Sequence, residues 1–149
     1  MNILLKYFNK FLATGFYIGF IPGAPGTYGS LLALLFTYLF PITTTISFLI
    51  TFISIATIIS YLDEYFTDLE DNPQVVIDEI SGIFITFIAI PLNPLYLVIG
   101  FILFRFFDIF KPLLIDKVQE IPYGIGVMAD DILAGIMANI ILRMIINFI

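Results

Sequence analysis

The sequence predicts an all-α fold: a multi-helical integral membrane bundle with short helical hairpins and an N-terminal amphipathic helix lying in the interface. Three observations predict it. Sixty per cent of the 149 residues are hydrophobic, only 12% are charged and mean hydropathy is +1.08, far above a soluble domain of this length. The apolar residues fall in long runs divided by prolines. All twelve acids lie between Asp63 and Asp131, in groups at 63–79 and 108–131 with one apolar stretch between them, which puts them on one side of a membrane. No linker or low-complexity stretch interrupts the chain, so residues 1–149 read as one membrane-embedded domain.

Residues 2–13 carry Lys6, Asn9, Lys10 and Ala13 on one side of a helix and Ile3, Leu4, Tyr7, Phe8, Phe11 and Leu12 on the other. This is the pattern of an interfacial amphipathic helix with a cationic face. A cleaved signal peptide fits less well, because Lys10 interrupts the apolar region and no small-x-small site follows cleanly. Gly15 to Ser30 holds five glycines and two prolines, which predicts a structured loop opening a helix near Ser30. Apolar segments follow at 31–40, 42–62, 80–90, 95–107 and 132–149, divided at Pro41 and at Pro91 and Pro94.

A full span needs roughly 20 apolar residues, and an 11-residue helix covers only about 16 Å. The segments 31–40, 80–90 and 95–107 are therefore short. Either flanking residues extend them, or they form hairpins that enter the bilayer without crossing it. Both arrangements put the turns at Pro41 and 91–94 away from the acids and gather the loops 14–30, 63–79 and 108–131 on the other side. Lys6, Lys10, Lys111 and Lys117 lie on the acidic side, with Arg105 near it, so the positive-inside rule makes that side cytoplasmic. Arg143 lies deep in the last segment and could snorkel toward the opposite interface.

Net charge is −6, with no cysteine and no histidine. Disulfides, thiolate chemistry, phosphohistidine intermediates and imidazole-ligated zinc are thereby excluded. Six basic residues in so acidic a chain give no nucleic-acid surface. Chemistry must come from carboxylates, hydroxyls, amides, Lys or Arg.

Two acidic doublets, Asp78-Glu79 and Asp130-Asp131, each precede a long apolar run and read as helix N-termini, where the helix dipole favours anions. One turn later stands a glycine, Gly82 or Gly135, that lets helices approach closely in lipid. Packing the two helices through these glycines would cluster four carboxylates. Such a cluster requires a cation, and all-oxygen ligands select a hard ion such as Mg2+. Simple helix capping at a wet surface is the other reading of either doublet alone.

The loop at 22–30 could cradle phosphate through glycine N–H groups, with Thr27 and Ser30 adding hydroxyls, although no Gly-Lys-Ser/Thr follows. A turn where the chain enters the membrane explains it equally well. Tyr123-Gly124-Ile125-Gly126 is a second candidate anion nest. Arg105 and Asp108 share a helix face and could pair with each other, or Arg105 and Lys111 could bind phosphate while Asp108 joins the metal or orients Arg105. Asp63, Glu64, Asp68, Glu70 and Asp71 read mostly as a solvated loop.

Three ordered blocks resemble the phosphatidylglycerophosphatase A family. They are Ala13 to Ser30 with its Pro22-Gly23-Ala24-Pro25-Gly26-Thr27, Val76-Ile77-Asp78-Glu79-Ile80-Ser81-Gly82, and Gly100 to Pro112 continuing to Gly124-Ile125-Gly126-Val127-Met128-Ala129-Asp130-Asp131. The resemblance implies a bacterial inner-membrane enzyme, active on its cytoplasmic face, that uses Mg2+ to remove the terminal phosphate of phosphatidylglycerophosphate. A phospholipid and the membrane are then its partners. On that reading Asp78, Glu79, Asp130 and Asp131 hold metal and, with Asp108, form the catalytic set, while Arg105, Lys111, Thr27 and Ser30 hold phosphate. This chain departs from the family at 118–124, where Val-Gln-Glu-Ile-Pro-Tyr-Gly replaces the usual arginines and leaves Lys117 as the only nearby base. A small divalent-cation transporter and a non-catalytic membrane assembly subunit remain open alternatives.

Overall fold

The computed structural model describes residues 3–69, 72–112, 118, 121 and 124–148. Among them are six α-helices and no strand: α1 (Ile3–Ala13), α2 (Pro25–Leu39), α3 (Ile46–Thr67), α4 (Ile77–Thr86), α5 (Pro94–Phe110) and α6 (Ile125–Phe148). The all-α expectation holds. Two of these, α3 and α6, are long and apolar enough to cross a membrane. At 1.5 Å per residue α4 reaches only about 15 Å, so it cannot span a bilayer on its own.

The short α4 is the hub. Nine of its ten residues are buried, and it packs against α6, α2 and α3. Its closest neighbour is α6, and the two expected glycines make that approach. A Cβ added at Gly135 would lie 2.5 Å from the carbonyl oxygen of Gly82, and one at Gly82 would lie 2.9 Å from the carbonyl oxygen of Asp131. The two backbones are therefore in direct contact.

The C-terminal end of α4 is closed by α6. Asn139 Nδ2 donates to the carbonyls of Thr86 (2.8 Å) and Ile88 (3.0 Å), and Arg143 Nη2 donates to Ile88 at 2.7 Å. Arg143 Nε also bonds Asn139 Oδ1 at 2.8 Å. Rather than extending away to an interface, Arg143 puts positive charge where the α4 dipole is negative.

Two helix starts differ from expectation. The helix expected near Ser30 begins at Pro25, because proline is well suited to a first helical position, where its missing N–H costs nothing. Gly26 and Gly29 thus lie inside α2 instead of in a loop. A Cβ at Gly29 would sit 2.6 Å from Val76 Cβ, so the bare backbone serves close packing of α2 against the chain entering α4. The last helix begins at Ile125, behind a turn at Gly124 with φ of +65°, seven residues earlier than its apolar run. The expected turn at Pro41 is a 3-10 turn over Pro41–Thr44, and α5 starts at Pro94 with Asn93 Oδ1 accepting from Tyr96 N–H at 2.9 Å.

Helix α1 lies with its polar side inward. Asn9 is buried and donates to the Ile59 carbonyl at 3.2 Å, and Lys6 Nζ donates to the Phe66 carbonyl at 3.1 Å near the end of α3. Ile3, Leu4, Tyr7 and Phe8 face outward and are exposed. Exposed apolar side chains also cover the outer faces of α2, α3 and α5, among them Leu35, Ile50, Ile58, Val98 and Ile102. Exposed apolar side chains on several outer faces are what a surface in contact with lipid or a partner would show.

Because the added methyl at Gly135 meets backbone, it cannot be relieved by a rotamer change. Gly135→Ala is expected to lower stability by about 1–3 kcal/mol, seen as an earlier thermal unfolding midpoint in detergent. An unchanged midpoint would mean that α4 and α6 do not meet at this glycine.

Candidate active site

Asp78 and Glu79 lie in the first turn of α4, directed there by a helix that starts at Ile77 and buries almost every other side chain. Asp130 and Asp131 lie in the second turn of α6. The expectation that both doublets stand at helix N-termini therefore holds for the first and fails for the second. Residues 125–129 contain no helix breaker beyond Gly126, and Gly126 and Met128 N–H groups bond the Ile121 and Gly124 carbonyls, so the helix extends back to the Gly124 turn.

These elements enclose a cavity of about 370 Å³ lined by Ala24, Pro25 and Gly26 of the α2 start, Asn72, Pro73 and Val75, and Asp78, Glu79, Arg105, Asp108, Ile109, Lys111, Val127, Asp130 and Asp131. Loops far apart in sequence thus converge on one end of the bundle, as the parity of the hairpins requires. Five carboxylates and two cations line the cavity among the described residues. Each cation is matched. Arg105 Nη1 pairs with Asp108 one turn along α5, and Lys111 Nζ pairs with Asp130.

Asp78, Glu79 and Asp131 are the remainder. They form a group in which one carboxylate oxygen from each lies within 4.8 Å of the others. Asp78 Oδ1, Glu79 Oε2 and Asp131 Oδ1 are buried and have no hydrogen-bond partner. Burial raises the Asp78 carboxyl to about 6, with repulsion from Asp130 adding to the rise. Burial likewise pushes Glu79 well above the usual carboxylate range, and the neighbouring Asp78 charge pushes it further. Three converging carboxylates with orphaned oxygens are costly unless protonated or bound to a cation. The donor set is all oxygen, which fits a hard divalent ion.

Among the site residues read from the sequence, Asp78, Glu79, Asp108, Arg105, Lys111, Asp130 and Asp131 all reach the cavity. Asp130 is engaged by Lys111 rather than grouped with the other three. Burial lowers Lys111, but the hydrogen bond and charge of Asp130 outweigh this, and the ammonium is held above its ordinary value. Thr27 is half-buried in α2 and does not line the cavity. Ser30 is fully buried, donates to the Gly26 carbonyl at 2.7 Å and lies 3.5 Å from Arg105 Nη1, so it supports the guanidinium from behind. Lys117 and Tyr123 fall outside the described residues, as do Glu70 and Asp71.

Gly26 lies in the cavity wall, where its lack of a side chain matters. A Cβ there would collide with Glu79 Oε1 and come within 3.0 Å of Glu79 Cδ and 3.3 Å of Arg105 Nη1. Its bareness lets the start of α2 press on both a carboxylate of the trio and the guanidinium. The α2 N-terminus, with the positive end of its dipole, therefore borders the cavity.

Residues 11–146 match the sequence profile of phosphatidylglycerophosphatase A. The chain is 40% identical over 144 residues to a Bacteroides thetaiotaomicron protein with the provisional name phosphatidylinositol-3-phosphatase, covering 88% of this chain and 89% of that one. It is 40% identical over 144 residues to phosphatidylglycerophosphatase A of Haemophilus influenzae, covering 87% and 83% of the two chains. With phosphatidylglycerophosphatase A of Escherichia coli it shares 34% identity over 132 residues, covering 85% and 77%. No solved structure gives a significant match. With the profile spanning nearly the whole chain and the acidic cavity assembled from its matched blocks, the protein belongs to the phosphatidylglycerophosphatase A family.

Proposed function

We propose that this protein is a membrane-embedded, Mg2+-dependent lipid phosphatase that hydrolyses the terminal phosphate of phosphatidylglycerophosphate, giving phosphatidylglycerol and inorganic phosphate. The observation that carries this reading is the trio Asp78, Glu79 and Asp131, left without a basic partner in a cavity whose other charges are a matched guanidinium and ammonium. The trio would hold Mg2+, with Asp130 close enough along α6 to complete the set when Lys111 turns to substrate. When bound, Mg2+ supplies charge neutralisation for the phosphoryl group and alignment of attacking and leaving oxygens.

The remaining work falls to the chain. Arg105 and Lys111 take the phosphate oxygens, exchanging the carboxylates of Asp108 and Asp130 for those of substrate. Asp108 and Ser30 keep the guanidinium aimed at the cavity until substrate arrives. The α2 N-terminus adds favourable potential for an anion. In the reaction a water oxygen bonds to phosphorus, the bond between phosphorus and the glycerol oxygen breaks, and the proton lost by water ends on the leaving alcohol. The freed carboxylate of Asp108 stands in the cavity to carry that proton.

The apolar exterior, the outward apolar face of α1 and the two long helices support placement in a bacterial inner membrane. The basic residues beside the cavity support a cytoplasmic orientation by the positive-inside rule. A phosphomonoester at a lipid head group meets such a site at the membrane surface. The name of the Bacteroides relative makes phosphatidylinositol 3-phosphate the competing substrate. A cation transporter is less well supported, since the carboxylates occupy one end of the bundle and Arg143 is occupied at the far end of α4.

Purified protein in mixed micelles is expected to release inorganic phosphate from phosphatidylglycerophosphate with Mg2+ and to stop with EDTA. A higher kcat/KM on phosphatidylinositol 3-phosphate would transfer the assignment to that lipid. Asp131→Asn is expected to stay folded in detergent while losing about 100-fold or more of the rate, and near-normal turnover would remove Asp131 from the site. Lys111→Met removes a charge-assisted contact and should raise KM about 10- to 100-fold with a smaller effect on kcat. For Gly26→Ala the collision with Glu79 predicts at least a tenfold loss of rate and a higher Mg2+ requirement; full activity would show that the α2 start does not press on the trio.

A further inference from the structure

We propose a second cation site, separate from the catalytic trio, in the small cavity at the C-terminal end of α3, where Asp63, Glu64 and Ser60 would hold a hard divalent cation. The cavity has a volume of about 20 Å³, enough for one water-sized occupant. Ser60, Asp63 and Glu64 line it from α3, and Asn72 and Gly124 close it from the opposite side.

Three observations point to a ligand. Ser60 is only 7% exposed, and its hydroxyl has no partner. On the same helix Thr51, Ser54, Thr57 and Thr67 each donate to the carbonyl four residues earlier, which is the default for a helical hydroxyl. Ser60 departs from that default beside this cavity. Second, Asp63 is 4% exposed and is in no ion pair among the described residues, although the sequence reads it as solvated. Asn72 Nδ2 donates to its Oδ2 at 2.8 Å, which fixes the carboxylate and leaves Oδ1 for another partner. Third, Glu64 Oε2 is buried with no partner.

Position adds to the argument. Two carboxylates near the C-terminal end of a helix face the negative end of its dipole, and Asp63 and Glu64 stand in that unfavourable place close to the end of α3. A divalent cation matches their combined charge, and oxygen-only ligands select a hard ion. Its effect would be mechanical. Asn72, Val75 and Val127 line both this cavity and the catalytic one, so a bound ion ties α3 to the segment before α4 and to the first turn of α6. Backbone packing there is already close: a Cβ at Gly124 would lie 2.9 Å from the Ser60 carbonyl oxygen.

The test is Ca2+ and Mg2+ binding by equilibrium dialysis on the full chain in detergent, with the catalytic trio disabled by Glu79→Gln and Asp131→Asn. That double variant is expected to retain about one Ca2+ per chain, and adding Asp63→Asn should abolish the retained binding. Ser60→Ala, which removes only a hydroxyl, should weaken it about 2- to 10-fold without loss of fold, and decides the matter if Asp63→Asn does not fold. No retained ion in the double variant, or binding indifferent to both Asp63→Asn and Ser60→Ala, would mean that a water fills the cavity and would overturn the proposal. Because the readout is binding in a catalytically disabled chain, failure here leaves the phosphatase assignment untouched.

Discussion

Mutual repulsion among buried carboxylates at the start of α4 is the constraint on which the remaining structure depends. Asp78 and Glu79 stand in the first turn of a helix of ten residues, and Asp131 is brought beside them by the α6 backbone. The helix dipole of so short an element offsets only part of the charge, worth on the order of 1 kcal/mol. The surroundings must therefore hold α4 in place from elsewhere. They do so by burying its apolar residues on several sides, by glycine contact at Gly82 and Gly135, and by Asn139 and Arg143 on the carbonyls near its far end. Negative groups at one end and a guanidinium at the other leave the helix with both termini complemented.

Much of this arrangement was legible in the residues, and the parts that were not share a physical origin. Asp78, Glu79, Gly82, Asp131 and Gly135 could be read because a doublet followed one turn later by glycine is a local pattern with a local meaning. The start of α2 was misread because glycine and proline are helix breakers in isolation. Gly26 and Gly29 are tolerated in α2 because Glu79, Arg105 and Val76 occupy the space their side chains would take, and those partners lie about 50 residues or more away in the chain. Asp63 was misread for the same reason. Only the fold brings Asn72 and the Gly124 turn against it. Arg143 looked like an interface anchor because its true partner, the Ile88 carbonyl, carries no side-chain signature.

Hydrophobic sequence and hydrophobic surface are different statements, and α1 separates them. An amphipathic helix on a soluble protein turns its apolar face to the core. Here Asn9 is buried against the Ile59 carbonyl of α3 and Lys6, itself exposed, reaches the Phe66 carbonyl, while Ile3, Leu4, Tyr7 and Phe8 are turned out. That inversion supports lipid as the surrounding medium, because in water it would expose the wrong face. It also gives the cationic residues of α1 a structural use beyond orientation by charge.

The pairing of cations in the cavity bears on how a phosphatase of this kind can meet an anionic substrate. A site built to hold metal must be rich in carboxylates, and the same carboxylates repel phosphate. Keeping Arg105 on Asp108 and Lys111 on Asp130 resolves the conflict before substrate binds, since neither cation drifts onto the trio and shields it from metal. On the proposed mechanism each cation would exchange its carboxylate for a substrate oxygen when a phosphate enters, and a bound metal ion would offset the negative charge that the exchange leaves behind. On the proposed mechanism the carboxylate so released at Asp108 would stand in the cavity where a proton must be handled. On that proposal the same two ion pairs serve both metal loading and substrate binding, which would account for Asp108 and Asp130 lying in the cavity wall without belonging to the trio.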